Sequence, residues 1–146
     1  MDHPFFKLSP AVDTRETGSA YPALESFENY DFNALNSVYK LKYREFPSVN
    51  PDIRFKVAKR AKLCDIMSQA AINASGLMVS DKAKQIISQY VLVPHQFYPA
   101  TVLFENKSYD YFWLHLVWED CETIVDWANS SFYKQRGTSK EPLNIS

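Results

Sequence analysis

The sequence predicts a single α+β domain in which a mainly antiparallel sheet carries a few short helices. Three observations lead to this prediction. The chain has 146 residues, 46% hydrophobic and 15% aromatic, enough for one core that buries about two-thirds of the unfolded surface. Segments with a strand pattern, either alternating or apolar on both faces, outnumber segments with helical spacing. Residues 80–90 have the apolar stripe and the N-cap of an amphipathic helix.

The first third of the chain shows no sustained hydrophobic period. Residues 1–36 mix turn formers with isolated aromatic residues, so this segment is interpreted as irregular, with a short strand at 5–8 and a short helix as candidates. From residue 38 the pattern becomes regular, because Val38, Leu41 and Tyr43 are interleaved with lysine and arginine. This alternation predicts a strand over 38–44, and the apolar residues of 53–57 predict a second strand after a proline-containing turn.

Two helices are predicted in the middle of the chain. Leu63, Ile66, Met67 and Ala70 recur at helical spacing, which predicts a helix over 61–72. A brief buried strand at 77–79 follows, and Ser80 is the predicted N-cap of the second helix because its hydroxyl can accept a bond from an unpaired backbone N–H. The apolar stripe of that helix consists of Ala83, Ile86, Ile87 and Tyr90.

The remainder is predicted to be mainly strand. Pro94 and Pro99 confine regular pairing to the residues after them, so a strand is placed at 100–105, with a polar turn at 106–108. Residues 109–118 read YDYFWLHLVW and are apolar on both faces, which is typical of a central strand covered on each side. The two strands are therefore predicted to form a hairpin in the middle of the sheet, with the Ser80 helix on one face. A short helical turn is a candidate at 120–127.

The formal net charge of −1 conceals a segregation of charge along the chain. Residues 1–36 hold two bases and six acids, residues 40–62 hold eight bases and two acids, and residues 118–127 hold four acids and no base. A net charge near zero gives no overall field to hold nucleic acid or an anionic membrane. The sequence shows neither a secretory signal nor a run of roughly 20 apolar residues. A cytoplasmic location is expected, with Cys64 and Cys121 as free thiols.

No catalytic, cofactor or metal site is predicted. The chain has three glycines and no GxGxxG, P-loop or GxSxG pattern, the arrangements that hold phosphate or present a nucleophile. His115 lies in the two-sided apolar strand and is interpreted as a hydrogen-bonded core residue, while His95 lies in a loop with no nucleophile pattern nearby. Together with Asp120 and Cys121, these histidines match no short-range metal-ligand spacing.

The acidic run is the first candidate for a partner-binding surface. Clustered carboxylates are ordinarily a solvated rim, but here two tryptophans border them, and tryptophan is enriched among the residues that dominate interfaces. The candidate residues are Trp118, Glu119, Asp120, Glu122, Asp126 and Trp127.

The basic stretch is the second candidate. Tyr39, Tyr43, Phe46 and Phe55 are interspersed with its bases, a combination found on surfaces that stack nucleic-acid bases. In a strand, this alternation would send the rings to the core and leave the bases on the solvent face. The candidate residues are Lys40, Lys42, Arg44, Arg54, Lys56, Lys59 and Arg60.

Five segments within residues 53–133 follow one another in a distinctive order. They are KLCDIM at 62–67, GLMVSDKAKQII at 76–87, QFYPATV at 96–102, YDYFWLHLVWEDCETIVDW at 109–127 and SSFY at 130–133. Their order gives a short apolar strand, a Ser-capped helix, an FYP strand entry and a Tyr-rich strand that leads to Asp-Cys. In this order, residues 53–133 resemble a bacterial immunity-protein family associated with polymorphic toxins. Family members tend to continue past the last segment, which leaves two alternatives for this chain: a shortened relative, or one whose C-terminal part is absent.

The resemblance implies a small cytoplasmic protein that is encoded beside a toxin and neutralises it by tight non-covalent binding. The expected function is therefore that of a non-enzymatic immunity protein that occludes the surface of a cognate bacterial toxin. The alternative is a nucleic-acid-associated or regulatory binding module that uses the basic stretch 40–62.

Overall fold

A computed structural model describes residues 10–19, 21–68, 72, 76–117 and 128, and the backbone of 132–136 and 139–143. Two short α-helices and a 3₁₀ turn accompany the strands: α1 Thr14–Thr17, the 3₁₀ turn Val38–Lys40 and α2 Asp81–Ile87. The strands are β1 Leu24–Glu25, β2 Arg54–Val57, β3 Ile66–Met67, β4 Gly76–Ser80, β5 His95–Phe104, β6 Lys107–Leu116, β7 Phe132–Arg136 and β8 Ser139–Leu143.

Six of the strands form one mixed sheet, in the order β1-β2-β5-β6-β4-β3. The pairing of β2 with β5 is parallel, and the other four pairings are antiparallel. β7 and β8 form a separate antiparallel pair. A mostly antiparallel sheet with a few short helices is an α+β arrangement, as the sequence predicts. Among the described residues, no helix has the length and apolar character needed to cross a membrane.

The centre of the sheet is the predicted hairpin, formed by β5 and β6. Its turn consists of Glu105 and Asn106, whose φ values of 48° and 61° are those of the two-residue turns that suit the twist of a hairpin. The strand start predicted at residue 100 is wrong, because β5 begins at His95 and runs through Pro99. Thr101 N–H donates to Ile53 O of the segment that leads into β2 (2.9 Å). Pro99 lies two residues before Thr101, so its nitrogen faces the β2 side of β5 and not β6. The pairing with β2 begins only after Pro99. The missing N–H of the proline therefore costs the β5–β6 ladder no hydrogen bond.

The apolar residues of 109–118 predict a strand covered on both faces, and this prediction is only partly right. Residues 111–116 are buried or half-buried, whereas Tyr109 and Asp110 are exposed, and so is Pro99 of the paired strand. Tyr98, Val102 and Trp113 point to one face, where they pack under the segments that precede β2. Leu114 points to the other face, where α2 covers it through Ala83, Ile87 and neighbouring apolar residues. The predicted N-cap is confirmed, since Ser80 Oγ accepts a hydrogen bond from Ala83 N (3.2 Å).

The predicted stripe of α2 is only partly right. The helix ends at Ile87, so Tyr90 lies beyond it, and Ile86 and Tyr90 are 49% and 58% exposed. The helix has only seven residues, and its buried side consists of Ala83 and Ile87. Tyr90 lies in the connection between α2 and β5.

The predicted strand at 38–44 and the predicted helix at 61–72 are both wrong. Val38 and Leu41 are buried, but they belong to a 3₁₀ turn: Val38 is its first residue and Leu41 follows its last. In such a turn, residues three apart lie above one another. In the second segment, Ile66 and Met67 pair with Val79 and Met78 as the edge strand β3. Tertiary pairing has overridden a local helical pattern, and residues 69–71 of the predicted helix lie outside the described residues.

Asp65 connects this edge to the start of α2. Its carboxylate accepts hydrogen bonds from Ser80 Oγ (2.6 Å) and Lys82 Nζ (3.1 Å). These bonds, first that of Ser80 and then that of Lys82, lower the pKa of Asp65. The stabilisation is therefore complete above the pKa of the unfolded chain and is lost as the pH falls through the folded-state value.

We expect Asp65→Asn to lower the stability at pH 7 and to have a much smaller effect at pH 3. The asparagine keeps an acceptor for Ser80 but loses the charge that Lys82 faces. Asp65 itself loses this charge only as the pH falls below the ordinary aspartate pKa of about 3.9 toward its lower folded-state pKa. Urea unfolding of both proteins at the two pH values measures the difference. An equal loss at both pH values would mean that packing, and not the charge, accounts for the effect.

Candidate protein-binding surface

Tyr30 closes the segment 36–52 into a loop with adjacent ends, called the 36–52 loop. Its phenol oxygen accepts from Val38 N (2.9 Å) and donates to Asp52 O (2.8 Å). Asp52 N donates in turn to Asn36 O (2.8 Å). The long connection has little regular secondary structure, but its shape is defined because both ends are tied to one side chain.

A second contact holds the far part of the loop to the sheet. His115 Nε2 lies 2.9 Å from Glu45 O, and this carbonyl can only accept, so the ring nitrogen is the donor. The Phe46 ring packs edge-on to the imidazole at 5.8 Å between centroids, and the imidazole lies 4.4 Å from the ring of Trp113. His115 is fully buried. It is a hydrogen-bonded core residue, as the sequence predicts, and it also fixes the loop.

The loop and the residues before it expose a set of large apolar side chains, called the aromatic surface. Their exposed fractions range from 38% to 89%. The set consists of Phe32, Leu35, Tyr39, Tyr43, Phe46 and Val49. The expectation that the rings of the basic stretch lie in the core is therefore wrong for Tyr39, Tyr43 and Phe46. It is right for Phe55, which is 1% exposed.

The outward direction of these rings follows from the local structure. A strand would place residues 39 and 43 on one face and the bases on the other. The 3₁₀ turn instead assigns the buried positions to Val38 and Leu41, so Tyr39 is directed outward together with Lys40. Tyr43 lies beyond the turn and is exposed as well. Phe32 and Tyr39 pack edge-to-face at 4.8 Å between ring centroids, a geometry that aromatic pairs favour. At least part of the aromatic surface is thus pre-ordered.

The seven bases of the predicted basic patch do not form one surface. Lys40, Lys42 and Arg44 lie exposed on the 36–52 loop, beside the aromatic surface. Arg54 and Lys56 belong to β2 and point to the opposite face of the sheet from Phe55.

Acids neutralise several of these bases. Arg54 makes two hydrogen bonds to the carboxylate of Asp52, both 2.7 Å, and the bond to Asp52 raises the pKa of Arg54. Lys56 Nζ lies 3.4 Å from a Glu25 carboxylate oxygen. Lys59 and Arg60 are exposed in the turn after β2. The cations that accompany exposed aromatic rings are therefore those of the loop.

A cleft of about 330 Å³ opens within this surface. Leu35, Phe46 and Val49 contribute apolar side chains, and Lys40, Lys42 and Glu45 contribute the charges. The polar residues Asn36, Ser37 and Ser48 also line the cleft, so that its wall is more polar than apolar. Lys42 Nζ lies 2.5 Å from a Glu45 carboxylate oxygen, and both side chains are more than half exposed. The cleft thus combines apolar side chains with an excess of one positive charge, within the volume range of small binding pockets.

The other candidate titratable side chains do not assemble into a reactive site among the described residues. In the central hairpin, His95 is paired with Leu116 and the next residue, Gln96, is paired with His115. Because successive residues alternate in direction, His95 and His115 point to opposite faces of the sheet. No group of three or more His, Cys, Asp or Glu within the described residues could hold a metal ion.

Cys64 is a free thiol whose pKa is raised by partial burial and then by the Glu16 carboxylate. The thiolate, which is the nucleophilic form, is therefore disfavoured. Cys121 and the acidic candidates Trp118, Glu119, Asp120, Glu122, Asp126 and Trp127 lie outside the described residues.

Comparisons of this chain with protein-family models, with curated proteins and with solved structures gave no match.

Proposed function

We propose that this protein is a non-enzymatic binding protein that neutralises a bacterial toxin by covering part of the toxin's surface, and that it docks through the aromatic surface. The observation that carries the proposal is the exposure of Tyr39 and Tyr43, each 55% exposed, on a loop whose two ends and far part are tied to the core. Large apolar side chains clustered on a monomer's surface mark interaction sites. Tyrosine is also prominent among the residues that contribute most to binding energy.

The charges of the loop support a protein partner with an acidic surface. Lys40, Lys42 and Arg44 lie among the aromatic side chains, the arrangement in which charges steer association and apolar contacts provide affinity. A loop presented by a rigid sheet is also a common carrier of binding residues. That the partner is a toxin rests on the resemblance of residues 53–133 to an immunity-protein family. The acidic segment 118–127 stays a second candidate for the contact.

The experiment is co-expression with the product of the neighbouring gene, followed by measurement of its affinity for the purified protein. We expect Tyr39→Ala combined with Tyr43→Ala to weaken binding at least about 30-fold, the equivalent of about 2 kcal/mol. Tyr21→Ala is the matched control, because Tyr21 is 60% exposed but lies outside the aromatic surface. It should change the affinity less than twofold.

Two results would contradict the proposal. If Trp118→Ala combined with Trp127→Ala abolishes binding while the tyrosine pair has no effect, the toxin contacts the acidic segment instead. If no toxin is encoded beside this protein and co-expression protects cells from none, the immunity function is wrong.

The second candidate function is a nucleic-acid-associated module. It is favoured by the alternation of exposed rings and bases at 39–44, since aromatic side chains in a basic groove can stack bases. Two observations count against it. Lys42 is paired with Glu45, and Arg54 and Lys56 lie on another face. Binding of single-stranded DNA that falls steeply with added salt, and that is lost on changing Lys40 and Lys42 to glutamine, would favour this function.

A further inference from the structure

The cleft within the aromatic surface differs from the rest of that surface because it combines apolar side chains with cations. Leu35, Phe46 and Val49 belong both to the aromatic surface and to the cleft wall. A partner that covers the surface must therefore either fill the cleft or leave it open to water. Residues that fill such pockets at the centre of an interface contribute most of the binding energy.

The net positive charge of the cleft favours a ligand group with a negative charge. Lys40 has no ion pair among the described residues. Lys42 is paired with Glu45, but both partners of this pair are more than half exposed. Exposed pairs of this kind contribute little to stability, so rearranging the pair costs little. The positive excess therefore resides mainly at Lys40, and an anionic group would complement it.

We infer that this cleft receives a glutamate or aspartate side chain of the partner protein, with the carboxylate at Lys40 and the aliphatic part against Leu35, Phe46 and Val49. The inference rests on the proposed function, because it names the chemistry of the toxin surface that the loop contacts. An ammonium–carboxylate hydrogen bond is stronger than a neutral one. The apolar side chains exclude water from the carboxylate's methylene groups.

The Glu45 carboxylate favours a singly charged ligand group. With two lysines and one glutamate on the cleft wall, the side chains carry a net charge of +1. A carboxylate neutralises this charge, whereas a phosphate dianion would leave an uncompensated negative charge beside Glu45. Lysine is also a compact point charge and does not require the planar, two-pronged geometry of arginine. The cleft therefore suits a carboxylate better than a phosphorylated side chain.

The test is selection from a random peptide library displayed on phage, with the whole protein as the target. We expect the selected peptides to be enriched in Glu or Asp, and the amide signals of residues 35–51 to shift when a selected peptide is added in an NMR titration. Lys40→Gln should weaken the binding of that peptide at least about fivefold, the equivalent of about 1 kcal/mol. The matched control is Lys59→Gln, which removes the same charge from an exposed position outside the cleft; it should change the affinity less than twofold.

Several outcomes would overturn the inference. Equal losses in Lys40→Gln and Lys59→Gln would show that only overall charge matters, and selected peptides without acidic residues would show that the cleft takes another group. Glutarate that binds more tightly than the peptide would assign the cleft to a free carboxylic acid.

The inference and the proposed function can fail separately. A neighbouring toxin whose binding depends on Tyr39 and Tyr43 but not on Lys40 would overturn only the inference. Acidic peptides that bind through Lys40, in a protein that no neighbouring toxin binds, would overturn only the toxin assignment.

Discussion

Gly76→Ala is expected to lower the free energy of unfolding by about 3 kcal/mol or more, at the upper end of what overpacking a core costs. Gly76 opens β4 and pairs with His115 of the central strand β6. A Cβ at this position would overlap the backbone carbonyl oxygen of Leu114 and would lie 2.5 Å from Trp113 Nε1. A backbone oxygen within a paired strand cannot move aside without breaking the ladder.

The indole at this contact has no room to adjust. Trp113 is fully buried, and its Nε1–H has no hydrogen-bond partner among the described residues. The ring is packed against His115 and Tyr98 at centroid distances of 4.4 and 5.7 Å. Displacing it would disturb the core that carries the 36–52 loop, so this glycine matters for the shape of the binding surface as well as for stability.

Urea denaturation monitored by tryptophan fluorescence measures the loss in Gly76→Ala. The control is Ser88→Ala, since Ser88 is exposed at the end of α2 and a substitution there should change the stability by less than about 0.5 kcal/mol. A loss below about 1 kcal/mol for Gly76→Ala would mean that β4 can shift away from β6, and that the close approach is not a fixed feature of the sheet.

The parts of the fold that sequence patterns predict well are those in which local and tertiary preferences agree. Residues 111–116 carry apolar side chains on both faces and are buried or half-buried in the middle of the sheet. Ser80 precedes an acidic first turn and caps α2. In both cases the local pattern needs no distant partner to be interpreted, because periodicity and capping act within a few residues.

The parallel pairing of β2 with β5 could not be predicted in this way. Residues 54–56 pair with residues 101–103, across a long stretch of chain that contains β3, β4 and α2. An alternating strand pattern indicates which side chains face the core but not which neighbour the strand chooses. The edge strand β3 shows the same limit, because Ile66 and Met67 have helical spacing to their neighbours and are fixed by β4 instead.

The outward position of Tyr39 and Tyr43 was not predicted, although the sequence contains a local reason for it. Val38 and Leu41 are three residues apart, which suits a 3₁₀ turn as well as an imperfect strand. Ser37 supplies the cap, since its hydroxyl accepts from Tyr39 N (3.2 Å). Two prolines follow at 47 and 51. A serine cap, a spacing of three and nearby prolines together favour a loop, and an outward position for Tyr39 and Tyr43.

His115→Phe is expected to release the 36–52 loop while leaving the sheet folded. The phenyl ring keeps the packing against Trp113 and Phe46, but Glu45 O loses its donor, a change that costs about 1–3 kcal/mol for a partly buried carbonyl. Loop opening would then be about 5- to 150-fold more frequent. Cleavage by trypsin after Lys40 and Lys42 tracks this opening when reclosing is fast.

Mass spectrometry of a trypsin time course distinguishes this anchoring role from a general effect on the core. In His115→Phe, cleavage after Lys40 and Lys42 should accelerate, whereas cleavage after Lys107, beside the hairpin turn, should keep its rate. His115→Gln restores an N–H donor and should recover part of the protection. If all sites accelerate equally in His115→Phe, the histidine stabilises the whole core and the loop has no separate anchor. If the loop sites alone accelerate, the shape of the binding surface depends on a single donor from β6, and the affinity for the partner should fall in the same variant.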